Sequence, residues 1–149
     1  MPAAIILGVA AIGALANAHT PEQAQMLAER AVAHIQAVGR EQAFSDFSRP
    51  DGGFVEDELY VFCWDVSGVV VAHGGNPRTV GHSWADLRGA DGGLLIADLN
   101  QFVATRGSGW VQFRWPNPLT RRIELKTAYV LRADDRTVCG SGFYKGTPQ

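Results

Sequence analysis

Hydrophobic and polar positions alternate strictly from Trp110 to Trp115. Val111, Phe113 and Trp115 fall on one side, and Trp110, Gln112 and Arg114 on the other. A period of two marks a half-buried strand. Pro116, Asn117, Pro118 and Thr120 interrupt the run, because proline cannot donate to a ladder and these residues favour turns. A second alternating run, Ile123 to Leu131, follows with Lys126 and Tyr129 in its middle. Two further runs, Leu59 to Asp65 and Val69 to His73, flank the tight turn Val66-Ser67-Gly68 and predict a hairpin. Thr137 to Tyr144, after an Asp134-Asp135 turn, predicts the last strand.

Helical spacing governs the rest. Ala24, Leu27, Ala28, Ala31, Ile35 and Val38 recur on one face behind Thr20-Pro21-Glu22-Gln23, a capping box with proline in the first turn. Gly39 ends or bends this helix, and Glu41 to Phe47 predicts one or two more turns before the break at Arg49-Pro50-Asp51-Gly52-Gly53. Leu94 to Thr105 predicts another helix, with Leu95, Leu99, Phe102 and Val103 on one face. The order implies an α+β fold: a five-stranded antiparallel sheet joined mostly by hairpins, with a long N-terminal helix over about residues 20–39. The segment from Gly74 to Arg106 is the natural cover for one face, and a pocket between sheet and cover follows from that layering.

A chain of 149 residues with 46% hydrophobic composition is one domain with a real core. Thirteen basic against fifteen acidic residues leave no basic stripe, so nucleic acid is not an expected partner. Residues 1–18 carry no charged side chain, and Ala16-Asn17-Ala18 fits the small-x-small cleavage rule. Export with cleavage after Ala18 is the expectation, although the run has no basic residue at its start. It is also shorter than the roughly 20 residues a spanning helix needs. The mature domain then covers residues 19–149, with its sheet portion over about 58–145, in the periplasm or outside the cell.

No nucleophile elbow, H-E-x-x-H helix, phosphate loop or dinucleotide fingerprint is present. His73 and His82 are the only histidines near enough in the chain to share a site, and two imidazoles nine residues apart make a poor metal signature. No enzymatic role and no cofactor are expected. What stands out is two tryptophans, an arginine, a lysine and a tyrosine within one hairpin. Aromatic walls with a few fixed donors suit a pocket for a small anion; the bland alternative is core aromatics and solvated cations.

GSGWVQFRWPNP, followed by a lysine and TAYV, resembles the single Cache domains, extracytoplasmic PAS-like sensor modules of bacteria. LYVFCWDVSGVVVAHGGNPRTVG resembles the same family's strand, Asp-x-x-Gly turn and strand, with a histidine after the second strand. VCGSGFYKG resembles its last strand. The resemblance runs from about Thr20 to Lys145. It implies a PAS-like sheet with the N-terminal helix on the face opposite the cover, and a pocket for a small organic acid or amine. The ligand-binding positions it implies are His73, Trp84, Arg114, Trp115, Lys126 and Tyr129. Parity limits them: Arg114 and Trp115 are adjacent, and Lys126 and Tyr129 are three apart, so unbroken strands send the members of each pair to opposite faces. Arg114 ranks lowest. In the Cache arrangement the strands holding Cys63 and Cys139 are neighbours, which allows a disulfide; two buried free thiols are the favoured alternative.

The family pattern also has departures here. Phe113 stands where a tyrosine is expected, and Gly89 where an aspartate is usual. The resemblance implies a signal-transduction role, related to chemotaxis, through docking on a membrane-bound sensor or a homodimer through the first helix. The competing expectation is a ligand-free structural or interaction module whose pocket is filled by Trp84, Phe113 and Trp115.

Overall fold

The computed structural model describes residues 19–144; the expected leader, residues 1–18 with its cleavage point, lies outside them. Helix α1 (Pro21–Val38) starts at the Thr20 capping box, in which the Thr20 hydroxyl accepts from the Gln23 amide and the Gln23 side chain accepts from the Thr20 amide. Gly39, at a φ of 89°, turns the chain into α2 (Arg40–Ser48). His34 Nε2 lies 2.7 Å from Asp46 Oδ2, and Arg49 donates to Asp46 Oδ1, so α1, α2 and the following break are tied at one carboxylate.

The strands are β1 (Val55–Glu56), β2 (Leu59–Asp65), β3 (Val70–His73), β4 (Ser108–Pro116), β5 (Ile123–Arg132) and β6 (Thr137–Tyr144). Between β3 and β4 lie a single 3-10 turn, Pro77–Thr79, and helix α3 (Leu95–Arg106). All pairings are antiparallel, in the order β1-β2-β6-β5-β4, with β3 also paired to β2. This is the five-stranded sheet expected, with the two-residue β1 added. Sequence alternation missed β1 because two residues carry no period; Asp57, at a φ of 57°, makes its turn back into β2.

β2 and β6 lie at the centre and are buried on both faces. Leu59, Val61, Cys63 and Cys139 face α1 and α2 in one core cluster; Tyr60, Phe62, Trp64 and Val138 face α3 in the other. α1 packs over β6 and β5, while α3 packs over β4 and β5. The layering therefore matches the expectation of a helix on one face and the cover on the other. Phe62 sits directly opposite Gly140, and a Cβ there would lie 2.9 Å from the end of the Phe62 ring. Glycine at that position lets the ring cross the central strand.

Cys63 and Cys139 are directly opposite in the β2–β6 ladder and are joined by a disulfide beneath α1. The favoured expectation of two free thiols is corrected here. A single sequence shows strand type but not register, and register decides whether two Cβ atoms meet.

The cross-link spans a sequence separation of 76 residues. Replacing both cysteines with alanine is expected to lower the urea-unfolding free energy by about 4 kcal/mol on the chain-entropy account, with the far-UV circular dichroism unchanged. A loss below about 1 kcal/mol would show that this bridge constrains the unfolded chain little.

Candidate functional site

The face of the sheet turned away from α1 is built from alternate residues of four strands. β2 contributes Tyr60, Phe62 and Trp64; β4 contributes Phe113 and Trp115; β5 contributes Lys126; β6 contributes Tyr144. Lys126 is paired with Phe113 on one side and Tyr144 on the other, so all three project the same way. His73 reaches this face through an irregularity. The β2–β3 register slips between Cys63 and Trp64, so Val70 and His73, three residues apart, share a side.

The cover is the loop after β3 together with α3. Trp84 donates its backbone N–H to the Gly68 carbonyl, which ties the loop to the β2–β3 turn. Leu95, Ile96 and Leu99 of α3 complete the roof. Leu94, the residue just before α3, gives no side-chain cap, and Gly92 and Gly93 precede it. Roof and floor leave between them a cavity of only about 10 Å³. The space is a slit: at its widest it admits little more than one water-sized sphere. Trp84 and Trp115 meet edge to face across it, with centroids 4.8 Å apart.

Among the described residues, Lys126 is the one ionisable group lining the cavity. Its side chain is 1% exposed, and its Nζ lies 3.9 Å from the Tyr60 ring centroid, 4.6 Å from Phe62 and 5.1 Å from Tyr144. The hydroxyls of the two tyrosines are committed elsewhere. Tyr144 donates to the Pro116 carbonyl at 2.8 Å, and the Tyr60 hydroxyl lies 3.2 Å from the Tyr144 oxygen. Burial pushes the Tyr60 hydroxyl up to about 12 and raises Tyr144 as well, so both stay neutral. No carboxylate or hydrogen-bond acceptor among the described residues pairs with the Lys126 ammonium. Three ring faces favour its charged form, but the loss of water outweighs them and holds its pKa well below the ordinary lysine value.

His73 is 2% exposed, and its Nδ1 accepts from the Asn76 amide at 2.7 Å. That fixes the neutral ring with its proton on Nε2. Burial, and then the nearby Lys126, push it down to about 3. Its ring sits 4.9 Å from Tyr60 and 5.7 Å from Trp84. Gly75 permits this packing, since a Cβ there would fall 2.6 Å from the Tyr60 ring.

Of the six residues expected at the site, His73, Trp84, Trp115 and Lys126 are brought together. Arg114 and Tyr129 are not, and both expectations are corrected by strand parity. Tyr129 shares the opposite face with Trp110, donates to Ser108 and lies in edge contact with the Trp110 ring. Arg114 is exposed and borders an outer groove between β4 and the loop before α3. Sequence reasoning missed Tyr60, Phe62 and Tyr144. The alternation of Tyr60 and Phe62 with Val61 and Cys63 was visible, but only the register shows that they surround Lys126. His82 is exposed while His73 is buried, and they form no common site. Among the described residues, the one group able to offer three metal-ligand atoms is His19, Asp57 and Glu58 at the start of α1. There His19 already contacts Glu58 and Glu56 through its two ring nitrogens.

The single Cache domain 2 family model matches residues 13–144. The chain belongs to this family. The Cache domain is 35% identical over 86 residues to the sensor histidine kinase MctS of Rhizobium johnstonii. That stretch is 57% of this chain and 18% of the kinase, so the chain spans less than a fifth of that relative's length. Solved structures with the same fold include a Cache chemosensory domain described for carboxylic acid recognition. It has a TM-score of 0.69 and 23% identity, over 84% of this chain and 92% of that one. A methyl-accepting chemotaxis protein from Vibrio parahaemolyticus aligns at a TM-score of 0.67 and 21% identity, over 83% and 86%. The periplasmic sensor domain of a chemotaxis protein aligns at 0.61 and 27%, over 84% and 90%.

The His73 environment makes a direct prediction. In ¹⁵N spectra of the imidazoles, His73 is expected to keep an unprotonated Nδ1 and a protonated Nε2 from pH 8 down to about 5. A His73 titration near its ordinary value would show that this ring is solvated.

Proposed function

We propose that this Cache domain is an extracytoplasmic sensor module whose cavity binds a small organic acid. The observation that carries the reading is a lone lysine at the wall of an otherwise apolar, aromatic cavity. A carboxylate supplies the anion that Lys126 lacks, and in a site closed to water a charge-assisted hydrogen bond is at its strongest. Among the described residues of the lining a cationic ligand would find no carboxylate to pair with, so the acid is favoured over an amine. Carboxylic acid recognition by a neighbour of the same fold supports this assignment. The polar chain from Tyr60 through Tyr144 to the Pro116 carbonyl holds the rings while leaving the lysine donors for the ligand.

Three observations support an extracytoplasmic place: a periplasmic sensor domain among the structural neighbours, the Cys63–Cys139 bridge, which suits an oxidising compartment, and the apolar run of residues 1–18. No helix among the described residues is long and apolar enough to cross a membrane. Signalling then proceeds through a partner, a histidine kinase or chemoreceptor of the kind its relatives represent.

The narrow slit and the Trp84–Trp115 contact favour one competing reading, a module whose cavity is filled by its own side chains. A thermal-shift panel of short monocarboxylates, dicarboxylates and amines separates the two. The expected result is a rise in Tm with acids alone. Lys126→Met, which keeps the volume and removes the charge, is expected to weaken that binding by roughly 10- to 100-fold, the worth of one charged hydrogen bond. No shift with any acid at millimolar concentration leaves the self-filled module.

A further inference from the structure

Among the described residues Lys126 has no counter-ion. Its ammonium ends among three ring faces and at the edge of the cavity, and the two hydroxyls nearest to it already belong to a closed hydrogen-bond chain. The groups packed around it from each side are accounted for. β2 presents Tyr60 and Phe62, and β3 presents His73, whose Nδ1 is occupied by the Asn76 amide. β4 presents Phe113 and Trp115, and β6 presents Tyr144. The roof presents Trp84, Leu95, Ile96 and Leu99, none of them ionisable. On its own strand Glu124 lies two residues away, opposite Trp115, and its two oxygens accept from Asn117 and Thr120. Every titratable neighbour on this face is therefore a base or phenol held neutral, or an acid engaged elsewhere.

An ammonium in such a place is unfavourable when the cavity holds no anion, because water is lost and no acceptor replaces it. The aromatic rings return only part of that cost. A carboxylate entering the cavity changes the balance, since the charged pair is then favoured over a neutral amine beside an anion. We propose that the domain captures its carboxylate together with one proton, Lys126 being an uncharged amine in the empty cavity and the ligand's counter-ion in the filled one. This rests on the carboxylate reading above and adds its regulation: occupancy reports acidity as well as acid concentration. The proton comes from solvent or buffer and is taken up on the Lys126 nitrogen. Binding then tightens as pH falls, by up to tenfold per unit, through the range between the empty-site and filled-site titrations of the lysine.

The test is calorimetry of the whole protein with butyrate at pH 7 in two buffers of different ionisation enthalpy, repeated from pH 6 to pH 9. Over this range butyrate stays ionised. The expected result is an uptake of about one proton per butyrate and an affinity that weakens steadily with rising pH. Binding with no proton uptake and a flat pH profile overturns the proposal while leaving carboxylate binding intact. Absence of butyrate binding at every pH, with no other short acid bound in the thermal-shift panel, overturns both. A second readout does not depend on the ligand. In ¹³C-lysine spectra of the ligand-free protein, the resonance lost in Lys126→Met is expected to titrate well below the other lysine; titration beside it overturns the proposal.

Discussion

The register of β2 against β6 is the constraint on which the other contacts depend. Both strands are enclosed on two faces, and a slip of one residue would exchange the two cores. In the observed register Cys63 meets Cys139 under α1, while Phe62 meets Gly140 on the cavity side. The first pair fastens the strands covalently. The second leaves space for the phenylalanine ring to lie across β6 and reach Lys126. Small residues on one strand and large ones on the other are what let an aromatic floor form over a central strand.

On that floor the fold carries an unfavourable element. A hydrophobic residue at position 126 would pack against Tyr60, Phe62 and Tyr144 without loss of hydration. A lysine loses most of its water there and receives ring faces in return. Such an arrangement stabilises the fold less than the apolar alternative, and its chemical sense lies in an anion that the chain itself does not supply. His73 follows the opposite course: its ring is settled by a backbone amide and serves as a neutral wall. Two basic residues on one surface thus take different parts, and the difference comes from one acceptor position being filled and the other being open.

Much of this was legible in the sequence. The capping box at Thr20, the break at Gly39 and the turn at Gly68 have local chemical causes, and the structure places them there. The alternation of β4 also separated Arg114 from Trp115 before any coordinates did. The same parity argument applied to Lys126 and Tyr129, but resemblance to a family motif kept Tyr129 at the site, and the structure puts it beside Trp110 and Ser108. What sequence did not show depended on relations between distant strands. The cage around Lys126 draws on residues 60, 62 and 144, and the disulfide joins strands from opposite ends of the domain. His73 reached the correct face only through the slip in the β2–β3 ladder, which leaves no mark in residue types.

The covalent bridge has a mechanical corollary. A base riveted at its two middle strands is held covalently, and the lid above it is not: α3 begins without a side-chain cap, behind two glycines, and rests on the base through the packing of Ile96, Leu99 and Val103 and the Trp64–Asn100 hydrogen bond. Room for a guest must therefore be made by lifting the lid rather than spreading the base. A guest beneath the lid presses on α3 and β4, on the face of the sheet opposite the one where α1 covers the bridge.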